Sequence, residues 1–214
     1  MSAGLSRREA IQRVSALLGG AALVGGDRLL AYSYDSHEIE QAMANGTGAF
    51  SAADIAFLDE VADTILPPTK TPGAKAAKVG AFMALMVTDT YDQREQDVFR
   101  RGMKQLDDAC RETQGVAFMS ASPAQRLALL EALDREQHAV MEDRQPKARV
   151  RAPAAPGGPD EPAHYFRMMK QLTLLGYFTS EIGATQAMRY VESPGRYEPD
   201  VPYTPGEKTW APHP

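Results

Sequence analysis

Four histidines (His37, His138, His164 and His213), one cysteine (Cys110) and a few helical acids are the side chains with which this 214-residue chain could do chemistry. A helical di-iron site needs a Glu-x-x-His pair on each of two facing helices. Only Glu161-Pro162-Ala163-His164 fits that pattern, once, with a proline inside it and at the edge of a proline-rich stretch, so it does not read as a metal site. His138 and Glu142 stand four apart and read as a surface contact. Asp59, Glu60 and Asp63 fall on one helical segment and read as a solvated face. Cys110 lies on an apolar helical stripe, where it reads as a small buried hydrophobe rather than a nucleophile. A single cysteine excludes an internal disulfide, a four-thiolate metal site and a Cys-x-x-Cys-His haem attachment. Gly206-Glu-Lys-Thr209 lacks the glycine spacing of a phosphate-binding loop. Neither a Gly-x-Ser-x-Gly elbow nor a dinucleotide-binding glycine pattern after a strand is present. No catalytic residue, cofactor-binding residue or metal ligand is therefore expected in this chain.

Bulk composition narrows the classes further. The net charge of −5 offers no basic excess to neutralise phosphates, which argues against nucleic acid. A mean hydropathy of −0.36 excludes a multi-span membrane protein. The N-terminus has a different character. Ser6-Arg7-Arg8 precedes an uncharged, glycine-diluted run from Val14 to Gly26, 13 residues long, which is too short to span a bilayer as a helix of about 20 residues. A positive start followed by a short, weakly apolar run is the pattern of an export signal. The paired arginines resemble a twin-arginine signal, with Ala10 where that pattern commonly has Phe. Residues 1–31 are read as this signal segment, and Arg7 and Arg8 as its essential pair. Twin-arginine export carries folded proteins, so such a passenger can travel with a bound partner or an inserted cofactor.

The elements that would position any site are helices. Ser51 with Asp54 three residues on is a capping-box start, and Ile55, Leu58, Ala62 and Ile65 recur on one face until Pro67-Pro68 stops the run. A loop over Thr69–Gly73 leads to a second helix near 74–90, marked by Val79, Phe82, Met83, Met86 and Val87. Phe99, Met103, Leu106 and Cys110 mark a third over 93–113. Ser122-Pro123-Ala124-Gln125 is a further start signal, with Leu127, Leu130 and Leu133 carrying the helix to about 142. Residues 144–162 hold five prolines and a Gly-Gly pair and read as a flexible linker. Its basic first half (Arg144, Lys147, Arg149, Arg151) is either a solvated loop or a segment ordered against an acidic partner. A long helix is expected from 163 to 191, then an extended, proline-rich tail over 194–214. The expected fold is all-α: one helical bundle-like domain of about five helices within residues 32–214.

Two strings carry a resemblance. Leu172-Thr-Leu-Leu-Gly-Tyr-Phe-Thr-Ser-Glu-Ile-Gly-Ala-Thr185, together with Phe57-Leu-Asp-Glu-Val-Ala-Asp-Thr-Ile-Leu-Pro-Pro68 and the following Thr69-x-x-Pro-Gly-Ala74, resembles the small-subunit family of gluconate 2-dehydrogenase, subunit 3. The twin-arginine start agrees with it. One departure is Pro199-Asp200-Val201, where some relatives carry Gly-Cys. The resemblance implies a non-catalytic accessory subunit, without a cofactor of its own, of a periplasmic or membrane-associated sugar or sugar-acid dehydrogenase. Its implied partners are a large flavoprotein of the glucose–methanol–choline type that holds FAD, often a cytochrome c subunit with haem c, and the twin-arginine translocase. The small subunit would help the large one fold and supply its export signal. From the residues alone, a stand-alone periplasmic helical enzyme and an export chaperone that releases its client remain open.

Aromatic residues are the candidate grip on such a partner. Gly176 sits inside a good helix at a cost of about 1 kcal/mol relative to Ala, which calls for close helix approach in return. Tyr165, Phe166, Tyr177 and Phe178 cluster around it and are divided between core and interface. Tyr197, Tyr203 and Trp210 lie in the proline-rich tail and suit interface anchors. The paired arginines give the first testable expectation. Replacing Arg7 and Arg8 by Lys is expected to leave the dehydrogenase active but cytoplasmic, as measured by activity in fractionated cells; undiminished periplasmic activity would remove the export reading.

Overall fold

The computed structural model describes residues 36–143, 162–191, 195, 200, 202 and 204–211. The signal segment with Arg7 and Arg8, the linker up to Glu161 with its four basic residues, and Tyr197 and Tyr203 lie outside the described residues. The chain is all-α, as expected, and among the described residues there is no strand beyond isolated pairings. The described residues form six α-helices: α1 (Ser36–Asn45), α2 (Ala52–Ile65), α3 (Val79–Thr90), α4 (Gln93–Gln114), α5 (Pro123–Asp143) and α6 (Tyr165–Phe178). Helix α1 was not foreseen; it contributes only Ala42 and part of Ile39 to the core, too weak a pattern to read as an apolar face.

Helix α3 is the central element. Every residue from Val79 to Val87 is buried, and α3 packs on α1, α2, α4 and α6. A helix apolar on all sides has to be enclosed by others, and the uncharged run Val-Gly-Ala-Phe-Met-Ala-Leu-Met-Val is the local cause. Helix α2 is its main neighbour. Ser51 caps α2 as expected: Asp54 N–H donates to Ser51 Oγ, and Ser51 N–H to Asp54 Oδ2 at 2.8 Å. Helices α4 and α5 begin in the same way. Asp92 and Glu95 satisfy each other's backbone N–H groups at 2.9 Å, and Ser122 N–H donates to Gln125 Oε1 at 2.9 Å. Gly115, at φ 76°, ends α4 in the left-handed region that favours glycine.

Two boundaries differ from expectation. Helix α3 starts at Val79, not near 74, because Lys78 adopts a left-handed φ of 56° and residues 74–78 form a turn held by Ala74 N–H to Leu66 O at 2.9 Å. Helix α6 ends at Phe178 rather than running to 191. Ser180 Oγ donates to Tyr177 O at 2.7 Å and accepts from Gly183 N–H at 3.1 Å, so the hydroxyl replaces the helical ladder. A π-helical turn follows over Gly183–Ala187. Gly183 sits so close to the last turn of α6 that a Cβ there would lie 1.9 Å from Tyr177 O. Serine competes with the backbone in this way wherever helix continuation is weak.

Long-range polar contacts tie the helices together. Lys170 Nζ on α6 donates to both Asp134 oxygens on α5, at 2.7 and 2.8 Å. Burial raises Asp134, but Lys170 and the 3.0 Å bond from Gln137 outweigh it and hold the carboxyl below its usual range. Gly102 lets α4 approach α6: a Cβ there would stand 2.3 Å from Tyr165 Cβ. Between two helices, backbone comes close at Gly80, where a Cβ would meet Ile55 O at 2.5 Å and Asp59 N at 2.6 Å. Backbone cannot retreat as a side-chain tip can. Gly80→Ala is therefore expected to destabilise by about 2 kcal/mol through overpacking, although helix propensity alone would favour Ala by about 1 kcal/mol. Urea unfolding should show a lower midpoint at unchanged m; a raised midpoint would mean that the α2–α3 crossing is not tight.

Candidate interaction surface

Asp59 is the side chain whose chemistry stands out first, and the structure places it inside rather than on a solvated face. It is 5% exposed, and its Oδ1 accepts the Gly80 N–H at 2.7 Å. Burial pushes its carboxyl up to about 6, against the pull of the Gly80 hydrogen bond and of Lys75. A raised carboxyl in a cleft is a candidate acid or base. Asp59 lines neither of the two surface grooves described below, and its oxygen is spent on the first turn of α3, whose N-cap residue Lys78 supplies no side-chain bond.

Glu60 and Asp63 are likewise engaged. Glu60 takes Lys75 Nζ on one oxygen and Arg126 Nη1 on the other, and Lys75 first, then Arg126, holds its carboxyl below the usual range. Arg126 is only 15% exposed and continues to Phe118 O at 3.0 Å and Met119 O at 2.8 Å, with its guanidinium 5.4 Å from the Phe118 ring centroid. Asp63 Oδ1 accepts Lys75 N–H at 3.1 Å. These acids carry structure. Cys110 is fully buried, and burial raises its thiol, with Asp107 adding to the shift, as its place on an apolar stripe implies.

The histidines take modest roles. His138 lies 3.9 Å from Asp134, one turn before it, so its ionic contact is not the expected one with Glu142. His164 caps α6: its Nδ1 accepts Phe166 N–H at 3.3 Å, which leaves the proton on Nε2, 3.6 Å from Glu136 Oε1. Among the described residues there is no group of three metal-ligating side chains, and no helix is long and apolar enough to cross a membrane.

The aromatic candidates divide. Tyr165, Phe166, Gly176 and Tyr177 are buried in this chain's own core, with Tyr165 against Gly102 of α4 and Gly176 against Phe82 of α3. Gly176 does serve close helix approach, since a Cβ there would lie 2.6 Å from Phe82 Cδ1. Tyr177 reaches across to the Thr69–Gly73 loop, its OH donating to Pro72 O at 2.8 Å. Burial, then Glu136, pushes the Tyr165 phenol up to about 12. Phe178 and Trp210 stay on the surface, 38% and 52% exposed. Trp210 does not project freely from the body: it pairs with Arg189 and lies under its guanidinium at 4.5 Å.

Two shallow grooves complete the surface. One, about 670 Å³, runs along α4 past Arg94 and Arg101 to Glu136 and His164. The other, about 520 Å³, lies between α2 and α4 with Phe57 and Met119 among its walls. Exposed apolar side chains include Met43, Val116, Met119 and Leu127, and, toward the C-terminal end of the sequence, Leu174 and Phe178 on one face of α6, then Tyr190, Val191 and Trp210. Sequence patterning could not find this surface, because it needs the end of α6 at Phe178 and the return of residues 204–211.

Asp59 allows a test by pH. Its carboxyl ionises near 3.8 when unfolded and near 6 when folded, so the folded state holds the extra proton between those values and its contribution to stability declines as pH rises through that window. Asp59→Asn keeps the acceptor for Gly80 and removes the titration. The difference in Tm between variant and wild type is expected to shift in favour of the variant from pH 5 to pH 7.5; the opposite drift would place the folded carboxyl at or below its ordinary range.

The strings that carry the resemblance thus meet in one place: the α2 acids, the Thr69–Ala74 loop and the end of α6. A family model described as gluconate 2-dehydrogenase subunit 3 matches residues 52–195. No curated protein and no solved structure matches the chain. With two thirds of its length inside that match, this chain belongs to the gluconate 2-dehydrogenase subunit 3 family, whose members are named as subunits of an oxidoreductase complex.

Proposed function

We propose that this chain is the non-catalytic small subunit of an exported FAD-dependent sugar or sugar-acid dehydrogenase. The catalytic subunit is a separate flavoprotein of the glucose–methanol–choline type that owns the FAD, and a cytochrome c subunit with haem c accepts its electrons. This chain stabilises the folded flavoprotein and, through Arg7 and Arg8, takes it across the membrane by the twin-arginine route into the periplasm. The chain itself needs no cofactor for this task.

The family match over residues 52–195 is the observation that carries the reading. The use of the ionisable groups supports it. Asp59 bonds the start of α3, Glu60 joins Lys75 to Arg126, and Asp134 joins α5 to α6. Groups spent in this way on packing and capping are not held ready at a cleft for proton transfer. A surface with exposed aromatic and aliphatic side chains toward one end suits a subunit whose work is association.

Co-expression decides it. With this chain present, the flavoprotein encoded beside it is expected to be soluble, FAD-loaded and periplasmic. Without the chain, the flavoprotein is expected to be aggregated or retained in the cytoplasm, as read by flavin absorbance in cell fractions. A flavoprotein that is soluble, FAD-loaded and exported alone would overturn the reading.

A further inference from the structure

Beyond α6 the chain forms a small clip. Residues 188–191 and 207–211 run parallel, paired at Arg189 and Trp210: Arg189 N–H donates to Thr209 O at 2.8 Å, and Ala211 N–H to Arg189 O at 2.8 Å. The Arg189 guanidinium covers one face of the Trp210 ring at 4.5 Å. Lys208 Nζ donates to Gln186 O. One pairing is far too little for a stable ribbon, since even a complete two-stranded hairpin is marginal in water.

The clip's unmet valences are concentrated and of defined kinds. In a parallel pairing, the N–H and C=O of Tyr190 and Trp210 point away from the partner strand. Among the described residues, none of these groups has a hydrogen-bond partner. Arg189 Nε is shielded from solvent with no acceptor among those residues, and the nearest carboxylate to the guanidinium, Glu207, stands 3.5 Å from Nη1. The ammonium of Lys208 is bonded to a carbonyl, not to an acid, so the clip's two cations face one loosely held carboxylate. Tyr190, Val191 and Trp210 are 42%, 42% and 52% exposed. Open strand edges, under-neutralised cations and exposed apolar rings together define what fits: an extended backbone segment bearing an acidic side chain and apolar neighbours.

We infer that the clip at 188–191 and 207–211 is the docking element for the catalytic subunit, which adds an extended acidic segment along the Tyr190 or Trp210 edge. The proposal rests on the accessory-subunit reading and deepens it by naming the surface and the mode of contact. The single Arg189–Trp210 pairing is marginal alone, and a third segment along it completes the ribbon. Trp210, stacked on Arg189, serves as a rigid anchor of the kind that dominates interface energies.

Hydrogen exchange on the co-purified complex tests it. Relative to the free chain, the amide of Tyr190 or that of Trp210, whichever edge is covered, is expected to slow by about tenfold or more. Arg189→Glu is expected to weaken association by about tenfold or more, whereas Leu127→Ala, on the exposed side of α5, leaves it unchanged. A wild-type complex in which these two amides exchange as in the free chain overturns the docking proposal and leaves the accessory-subunit reading intact. Full affinity in Arg189→Glu overturns the acidic segment as the occupant. Failure of the wild-type chain to associate with the flavoprotein at all overturns the docking proposal and the reading beneath it.

Discussion

A carboxylate from one helix holds the first turn of another, and the rest of the structure depends on that contact. Helix α3 is buried from Val79 to Val87 and begins without a side-chain cap of its own, because its N-cap residue, Lys78, carries no acceptor. The first amides of a helix need acceptors, and a buried helix start cannot take them from water. Asp59 of α2 supplies one at Gly80. Its position requires α2 and α3 to cross closely enough that only glycine fits at residue 80. Burial in turn raises the carboxyl, so the contact that fixes the central helix also shifts the ionisation of the acid that makes it.

Around that contact the other motif residues fall into place. Glu60 binds Lys75 and Arg126, Asp63 binds the Lys75 amide, and Tyr177 binds Pro72 O. The loop after Pro67-Pro68 is thereby tied to α2 on one side and to α6 on the other, and Arg126 extends the tie to the turn at Phe118–Ser120. The residues that make this chain recognisable as a family member therefore act mainly in assembling the helices. These contacts give the chain a firm scaffold on which to present a surface.

The surface is presented where helical order stops. Ser180 and Gly183 end α6 and turn the chain out through a π-helical turn, so that Arg189 can receive Trp210. Exposed apolar side chains stand on both sides of this break in the sequence, Leu174 and Phe178 before it and Tyr190 and Val191 after it. A long uninterrupted helix would have carried those later side chains away from the body and left Trp210 without a platform.

Local patterning was enough to specify most of the helical framework. Ser51 and Ser122 with their partners three residues on, the proline stop at Pro67-Pro68 and the apolar spacing of Phe99 to Cys110 are interactions within one element, so they are visible in sequence. The family was legible for the same reason, since its strings are contiguous. Other features depended on partners distant in the chain. Asp59, Glu60 and Asp63 read as a solvated face because α3, Lys75 and Arg126, which enclose them, are not encoded within their own helix. Tyr165, Phe166 and Tyr177 went to the core because α3 and α4 lie against that side of α6, and Trp210 gained a partner in Arg189. Periodicity reports which side of a helix is apolar; only packing decides which neighbour covers it, and burial of that kind turns an ordinary acid into the contact that holds a fold.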